Sequence, residues 1–306
     1  MGTTYAVTIV DPSLQTSRST IHMQIEQILA RITMSMSTYH TDSELSQFNR
    51  NQTTQWVSVS PDLHRVVQEA LQVGELSSGA FDVSIGPLVD LWGFGPSARQ
   101  DTIPSDEAIR ARLRAVGYAH LQVQDDPPAI RKTLPALSID LSAIAKGYAV
   151  DQVAEYLTSL QFTNYLVEIG GELRAHGHNA QGNPWNVAIE QPMPRARSIQ
   201  RVVRLKNHSV ATSGDYRNFF ERDGMRFSHT LNPITGKPVT HTLSSVTVIS
   251  ESSMKADALA TALLVLGPVA GFALAEQEQI ASLFLTIDKD GVHEKVTTGF
   301  THFGES

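Results

Sequence analysis

Asp257 and Thr261 stand four residues apart in KADALATALLVLG (Lys255–Gly267), a stretch of helical composition. That spacing puts a carboxylate and a hydroxyl on one helix face, one turn apart. Oxygen donors of this kind suit a hard cation such as Mg²⁺, which takes few protein ligands beside phosphate oxygens. On spacing alone a plainer reading is favoured: an aspartate attracted by the helix dipole, with a threonine bonded back to a carbonyl. Asp140 ends the strand-like ALSID and is read as opening a helix, whose N-terminal amides could receive a phosphate or its metal. The alternative there is an ordinary cap by Asp140 or Ser142. Lys146, in the first turn of that helix, sits at the end the macrodipole reserves for anions. It makes sense either facing a bound phosphate or as a solvated side chain. His229 lies in FSHTLNPITGKPV (Phe227–Val239), between two hydroxyl residues and ahead of loop-forming pairs. Imidazole carries protons readily near neutral pH, although a histidine alone is more often a hydrogen-bonded structural residue.

GAFDVSIGPLVDLWGFGP (Gly79–Pro96) is rich in glycine and proline. Glycine allows backbone approaches that other residues cannot make, so this segment can wrap a flat ligand or simply turn. No G-x-G-x-x-G follows a strand, and no G-x-x-x-x-G-K-[ST] or G-x-S-x-G is present. The eleven histidines form no zinc-protease pair. With no cysteine, disulfides, thiolate metal sites and thiol catalysis are excluded. A formal charge of −7 and the lack of a basic stretch interleaved with aromatics argue against nucleic-acid binding.

These residues need elements to position them. TYAVTIV (Thr4–Val10) reads as a strand. Apolar residues from Ile21 to Met36 recur at helical spacing. Ser60-Pro61 begins a helix to about Leu76. Pro104–Gly117 and Ala145–Leu160 read as further helices. The segments NYLVEIGGELRAHG, NVAIE, RVVRLKNHSVATSG, LSSVTVIS and ASLFLTID are strand-like and are expected to share one large mixed or antiparallel sheet. A helical pair from Ser253 to Glu276 should break at Gly267-Pro268. The expected architecture is α+β: one compact domain over residues 1–306, with two lobes and helices flanking the sheet. No uninterrupted apolar run reaches the ~18 residues of a membrane span, and the strand-like opening shows no signal peptide.

In this order, MGTTY, MSTYHTDSELSQFN, GAFDVSIGPLVDLWGFGP, IDLSAIAKGYAVD, EIGGEL, TSGDYRNFF, SHTLNPITGKPV and ADALATALLVLG resemble the ApbE family of FAD:protein FMN transferases over nearly the whole chain. The resemblance implies a T-fold-like architecture, FAD as substrate and Mg²⁺ as cofactor. It implies cleavage of the FAD pyrophosphate, transfer of the FMN half to a threonine or serine hydroxyl of a target protein, and release of AMP. Implied acceptors are subunits of sodium-pumping NADH:quinone reductase or Rnf-type complexes. The implied location is the periplasm, with a lipoprotein anchor. The family's FAD contacts fall on Met1, Tyr39, Ala80, Phe81, Asp82, Asp140, Lys146 and Leu231. Its metal positions fall on Ala143, Asp257, Ala260 and Thr261. Ala143 can offer only its carbonyl and Ala260 has no side-chain ligand, so Asp257 and Thr261, with the Ala143 carbonyl, are the expected set. Its general base falls on His229. Two alternatives share the same pocket: a Mg²⁺-dependent FAD pyrophosphatase, and an FAD-binding protein without turnover.

Overall fold

Seven strands lie side by side in space in the same order in which they occur along the chain. They are β1 (Tyr5–Ile9), β2 (Tyr165–Ile169), β3 (Glu172–His176), β4 (Ser209–Gly214), β5 (Leu243–Ser250), β6 (Ala281–Asp288) and β7 (Gly291–Val296). Every adjacent pair is antiparallel. The computed structural model describes residues 2–10, 16–96, 103–193, 198–214, 219–222 and 225–304. The helices are α1 (Arg18–Met36), α2 (Glu44–Arg50), α3 (Pro61–Leu76), α4 (Gly86–Leu91), α5 (Asp106–Leu113), α6 (Ala145–Ser159) and α7 (Ser253–Gln277).

The chain divides into two units. The first comprises Met1–Arg31, Ile144–Gly214 and Thr242–Ser306, and it holds the seven-stranded sheet. Strand residues alternate between two apolar environments, as a sheet covered on both faces requires. On one face Ser213 meets Thr261 of α7, and Phe284 meets Phe272 of the same helix edge-on at 5.5 Å. On the other, Val210, Leu283 and Leu285 pack with Trp185, Val187, Ile189, Val203 and Leu205. Those five belong to strands Trp185–Glu190 and Ile199–Leu205, which among the described residues pair only with each other. This corrects the expectation that NVAIE and the RVVRL half of RVVRLKNHSVATSG join the large sheet; its other half, Ser209–Gly214, does join it. Their alternation reports a half-buried strand, and it does so equally for a ribbon lying across a sheet and for a strand within it.

α7 breaks where its sequence requires. Pro268 has no amide hydrogen to donate and drives the residue before it out of the helical region. Gly267 absorbs this at φ 83°, ψ −177°. Among the described residues α7 is the one helix long and apolar enough to cross a membrane, but more than half of that stretch is buried inside the protein. It is a core helix.

The second unit comprises residues Ile32–Ala143 and Asp215–His241. It carries a small antiparallel sheet in which Ala129–Lys132 lies between Val57–Ser58 and Leu121–Gln124. α3 starts at Pro61 under a Ser60 cap that accepts from the Leu63 amide, as Ser-Pro predicts. Leu88 and Trp92 at α4, Ile109 of α5 and Leu231 form its second apolar cluster.

Candidate active site

The side chains singled out in the sequence gather in two places, one in each unit. In the first unit the gathering point is the N-terminal end of α7. Ser252 caps that helix, but the stronger restraint is Asp151 of α6. Its buried carboxylate accepts from the Ser253 and Met254 amides at 3.0 Å each and from Ser252 Oγ at 2.7 Å, and it pairs with Arg174 at 2.5 Å. Charge-assisted bonds of this kind are roughly twice as strong as neutral ones. The helices meet so closely that a Cβ on Gly147 would lie 2.3 Å from the Ser253 carbonyl oxygen.

This crossing brings Asp257, 3% exposed, to the start of α6. α6 has no side-chain cap of its own. Instead the Gly147 amide donates to Asp257 Oδ2 at 3.1 Å. Lys146 Nζ lies 3.6 Å from the same Asp257 oxygen and 3.2 Å from Glu172 Oε1 on β3. The lysine at the helix N-terminus is thus explained by two carboxylates. Burial works against its charge, yet Asp257 and Glu172 hold its pKa above the ordinary lysine value. Glu172 is pushed up, first by burial and then by the charge of Asp257, with Lys146 opposing. Glu172 Oε2 is buried and has no hydrogen-bond partner, a state that costs about 1–3 kcal/mol or more for a charged group. One turn after Asp257, the Thr261 hydroxyl meets Ser213 Oγ of β4 at 2.8 Å rather than a backbone carbonyl. Ala260 is fully buried. Ala143 is the last residue of its segment of the second unit, in the turn before α6. Met1 lies outside the described residues.

In the second unit, Asp140 does not open the helix as expected. It precedes α6 by five residues, and its Oδ1 accepts from the Ser142 amide at 2.8 Å. The strand-like ALSID makes only a single bridge, between Ser138 and Ile85, because the chain turns immediately afterwards. Asp140 lines a polar cleft of about 190 Å³ with Thr38, Thr41, Asn49, Arg50 and Asp90. Burial and then the charge of Asp140 raise the Asp90 pKa. Asn49 fixes one wall, exchanging hydrogen bonds with the backbone of Ile139 at 2.8 Å in both directions. Behind it, Lys132 is 1% exposed and donates to the Asn49 and Leu137 carbonyls at 3.1 and 2.9 Å. Burial lowers its pKa.

Tyr39 is 69% exposed beside this cleft's Thr38. Ala80, Phe81 and Asp82 are buried. The Asp82 oxygens accept from the Ser84 amide and hydroxyl and from the Tyr118 amide, at 2.7–2.8 Å. Burial raises its pKa against those bonds. Its carboxylate therefore organises the turn. His229 is half-buried with its ring edge-on to Phe94 at 6.3 Å. The turn after it is closed by other groups. Asn232 Oδ1 accepts from the Ile234 and Thr235 amides, and Trp92 Nε1 donates to the Gly236 carbonyl at 2.8 Å. Leu231, 4% exposed, belongs to the apolar cluster beneath.

Of the expected residues, the first unit joins Lys146, Asp257 and Thr261. Glu172, Ser213 and Asp151 complete that group, and the sequence did not mark them individually. Glu172 and Ser213 come from strands, so only pairing across the sheet brings them to α7. Among the described residues no group of three or more His, Cys, Asp and Glu gathers as a metal cluster. With the Asp151 carboxylate taken up by α7 and Arg174, the donors are the carboxylates of Asp257 and Glu172 and the hydroxyls of Thr261 and Ser213 beside an ammonium, a set fitted to a hard cation and a phosphorylated ligand. The unpartnered Glu172 oxygen makes that fit specific.

An antiparallel sheet backed by a helix pair defines an α+β protein, and the oxygens presented beside Lys146 are of the type a hard cation takes. The ApbE family model matches residues 1–284, and the chain belongs to that family. It is 44% identical over 303 residues to the FAD:protein FMN transferase of Vibrio cholerae serotype O1, spanning 99% of this chain and 90% of that one. It is 42% identical to the protein of the same name from Haemophilus influenzae, spanning 100% and 90%. The solved flavin transferase ApbE from Vibrio cholerae superposes with a TM-score of 0.92 at 43% identity, covering 99% of this chain and 96% of that one.

Proposed function

We propose that this protein is an FAD:protein FMN transferase, which moves the FMN half of FAD to a threonine or serine hydroxyl of an acceptor protein. The observation that carries the reading is the Lys146–Asp257–Thr261 group, in a chain similar over its full length to proteins bearing that name. In this reaction the acceptor oxygen bonds to the FMN-side phosphorus while the anhydride bond to the AMP phosphate breaks. AMP leaves with the bonding pair. His229 takes the hydroxyl proton, a role worth about 10²–10⁴ in rate. Lys146, held charged by its carboxylate neighbours, offsets negative charge on the diphosphate. Asp257 and Thr261 would hold Mg²⁺, which supplies electrostatic stabilisation of the phosphoryl oxygens when bound. The Asp140 cleft and the backbone of Ala80–Asp82 would bind and orient FAD.

The acceptor class we infer is a membrane subunit of a sodium-pumping NADH:quinone reductase or an Rnf-type complex. The location we infer is the periplasmic side, anchored by lipid; cell fractionation that leaves the protein in the cytosol overturns that part. The test of the reaction is incubation with FAD, Mg²⁺ and an acceptor subunit. Flavin fluorescence that stays on the acceptor in a denaturing gel supports transfer. Free FMN and AMP without a labelled acceptor indicate a pyrophosphatase. Intact FAD retained by the protein indicates storage.

A further inference from the structure

Glu172 is more than a counterion for Lys146. Only one of its oxygens, Oε1, faces the ammonium, at 3.2 Å. The other, Oε2, is buried and unpartnered, on a side chain 4% exposed. A glutamate kept only to hold a lysine is satisfied by one oxygen, and burying the second without a donor opposes folding. Asp257 differs, because its Oδ2 is met by both the Gly147 amide and Lys146. Two buried carboxyl groups therefore flank one ammonium, and one oxygen of Glu172 is left without a donor. The lysine stem runs beside the Gly170 turn between β2 and β3, where a Cβ would lie 3.3 Å from Lys146 Cδ. What the arrangement lacks is a partner at Glu172 Oε2. A hard divalent cation, which seeks about six oxygens, supplies it.

We propose that Glu172 belongs to the cation centre, giving Oε2 as a side-chain donor to the divalent ion held by Asp257 and Thr261. The inference rests on the Mg²⁺ reading above. On it, Glu172 has two duties on two oxygens: Oε1 fixes Lys146, and Oε2 binds the metal. The chain position reinforces this. Glu172 opens β3 directly after a two-glycine turn, with Gly170 and Gly171 both at positive φ, so its backbone is set by the hairpin rather than by a mobile loop.

Mn²⁺ serves as the probe, its bound fraction read from the loss of the free-ion electron paramagnetic resonance signal, with FAD absent and with FAD present. Glu172→Gln keeps the shape and removes the charge. It is expected to weaken Mn²⁺ binding about 10–100-fold while the melting temperature stays close to the parent's. Retained Mn²⁺ affinity in Glu172→Gln, with loss in Asp257→Ala, overturns the inference and leaves the cation reading standing. A parent that binds no Mn²⁺ in either state overturns the cation reading, and this inference with it. To separate a direct donor from an effect through the lysine, the same change is made in a Lys146→Met background. The loss should persist there; if it vanishes, Glu172 acts only by positioning Lys146 and the inference fails. Should Glu172→Gln not fold, Glu172→Asp gives the answer. That variant keeps the charge but retracts the oxygens, so weakened Mn²⁺ binding supports the inference and unchanged binding overturns it.

Discussion

His229 is the residue whose two possible roles separate most cleanly. Its turn is closed by Asn232 and Trp92, so its removal leaves those bonds in place. His229→Ala is expected to lower flavin transfer by about two to four orders of magnitude while FAD affinity stays within a few-fold, because proton removal matters in the transition state. Transfer rate and FAD titration on the same variant check this. Joint loss of affinity and melting temperature would make the histidine a loop anchor instead. Asp257 and Thr261 were legible because their one-turn spacing is a property of the local helix. Glu172 was not. In EIGGEL it looks like a polar residue after a turn, and nothing local shows that it ends up 97% buried beside a lysine 26 positions earlier.

At the scale of elements, the α6–α7 crossing sets the geometry of the centre. Gly147→Ala puts a Cβ 2.3 Å from a carbonyl oxygen, so the helices must part. The expected cost is about 1–3 kcal/mol, seen as a lower denaturant midpoint, together with a higher Mg²⁺ concentration for half-maximal transfer, since the Gly147–Asp257 bond lies at the same contact. A stability loss with an unchanged Mg²⁺ requirement would show that the crossing does not position Asp257. Lys132 makes a second element-level case. Its folded pKa lies below the ordinary 10.5. Between those two values the unfolded chain holds more protons, so the lysine's contribution to stability rises with pH. The unfolding free energy of the parent should therefore gain on that of Lys132→Met between pH 7 and about 10 in paired urea titrations; a falling difference would contradict burial as the cause. Helix starts and stops such as Ser60-Pro61 and Gly267-Pro268 were readable because capping and proline chemistry are local. The ribbon of Trp185–Glu190 and Ile199–Leu205 was misassigned because partner choice among strands is a tertiary matter.

Over the whole molecule the charge is −7, and the proposed substrate is an anion. The long-range field should slow the approach of FAD even though Lys146 favours it at close range. Screening extends over about 10 Å at 0.1 M salt. The association rate from stopped-flow flavin fluorescence is therefore expected to rise about two- to five-fold between 10 and 300 mM salt. A falling rate would mean that the local cationic potential dominates encounter.

The strand order of the sheet bears on how the chain is made. β1 pairs with β2 alone, Ile9 opposite Tyr165, and about 155 residues must be synthesised between them. At roughly 5–20 residues per second, β1 leaves the ribosome some 8–30 s before its partner exists. Throughout that interval its edge is open to chaperones and to other nascent chains. β1 thus waits unpaired until Tyr165–Ile169 has been made, and a chain interrupted before Tyr165 carries a β edge without the strand that pairs with it in the folded protein.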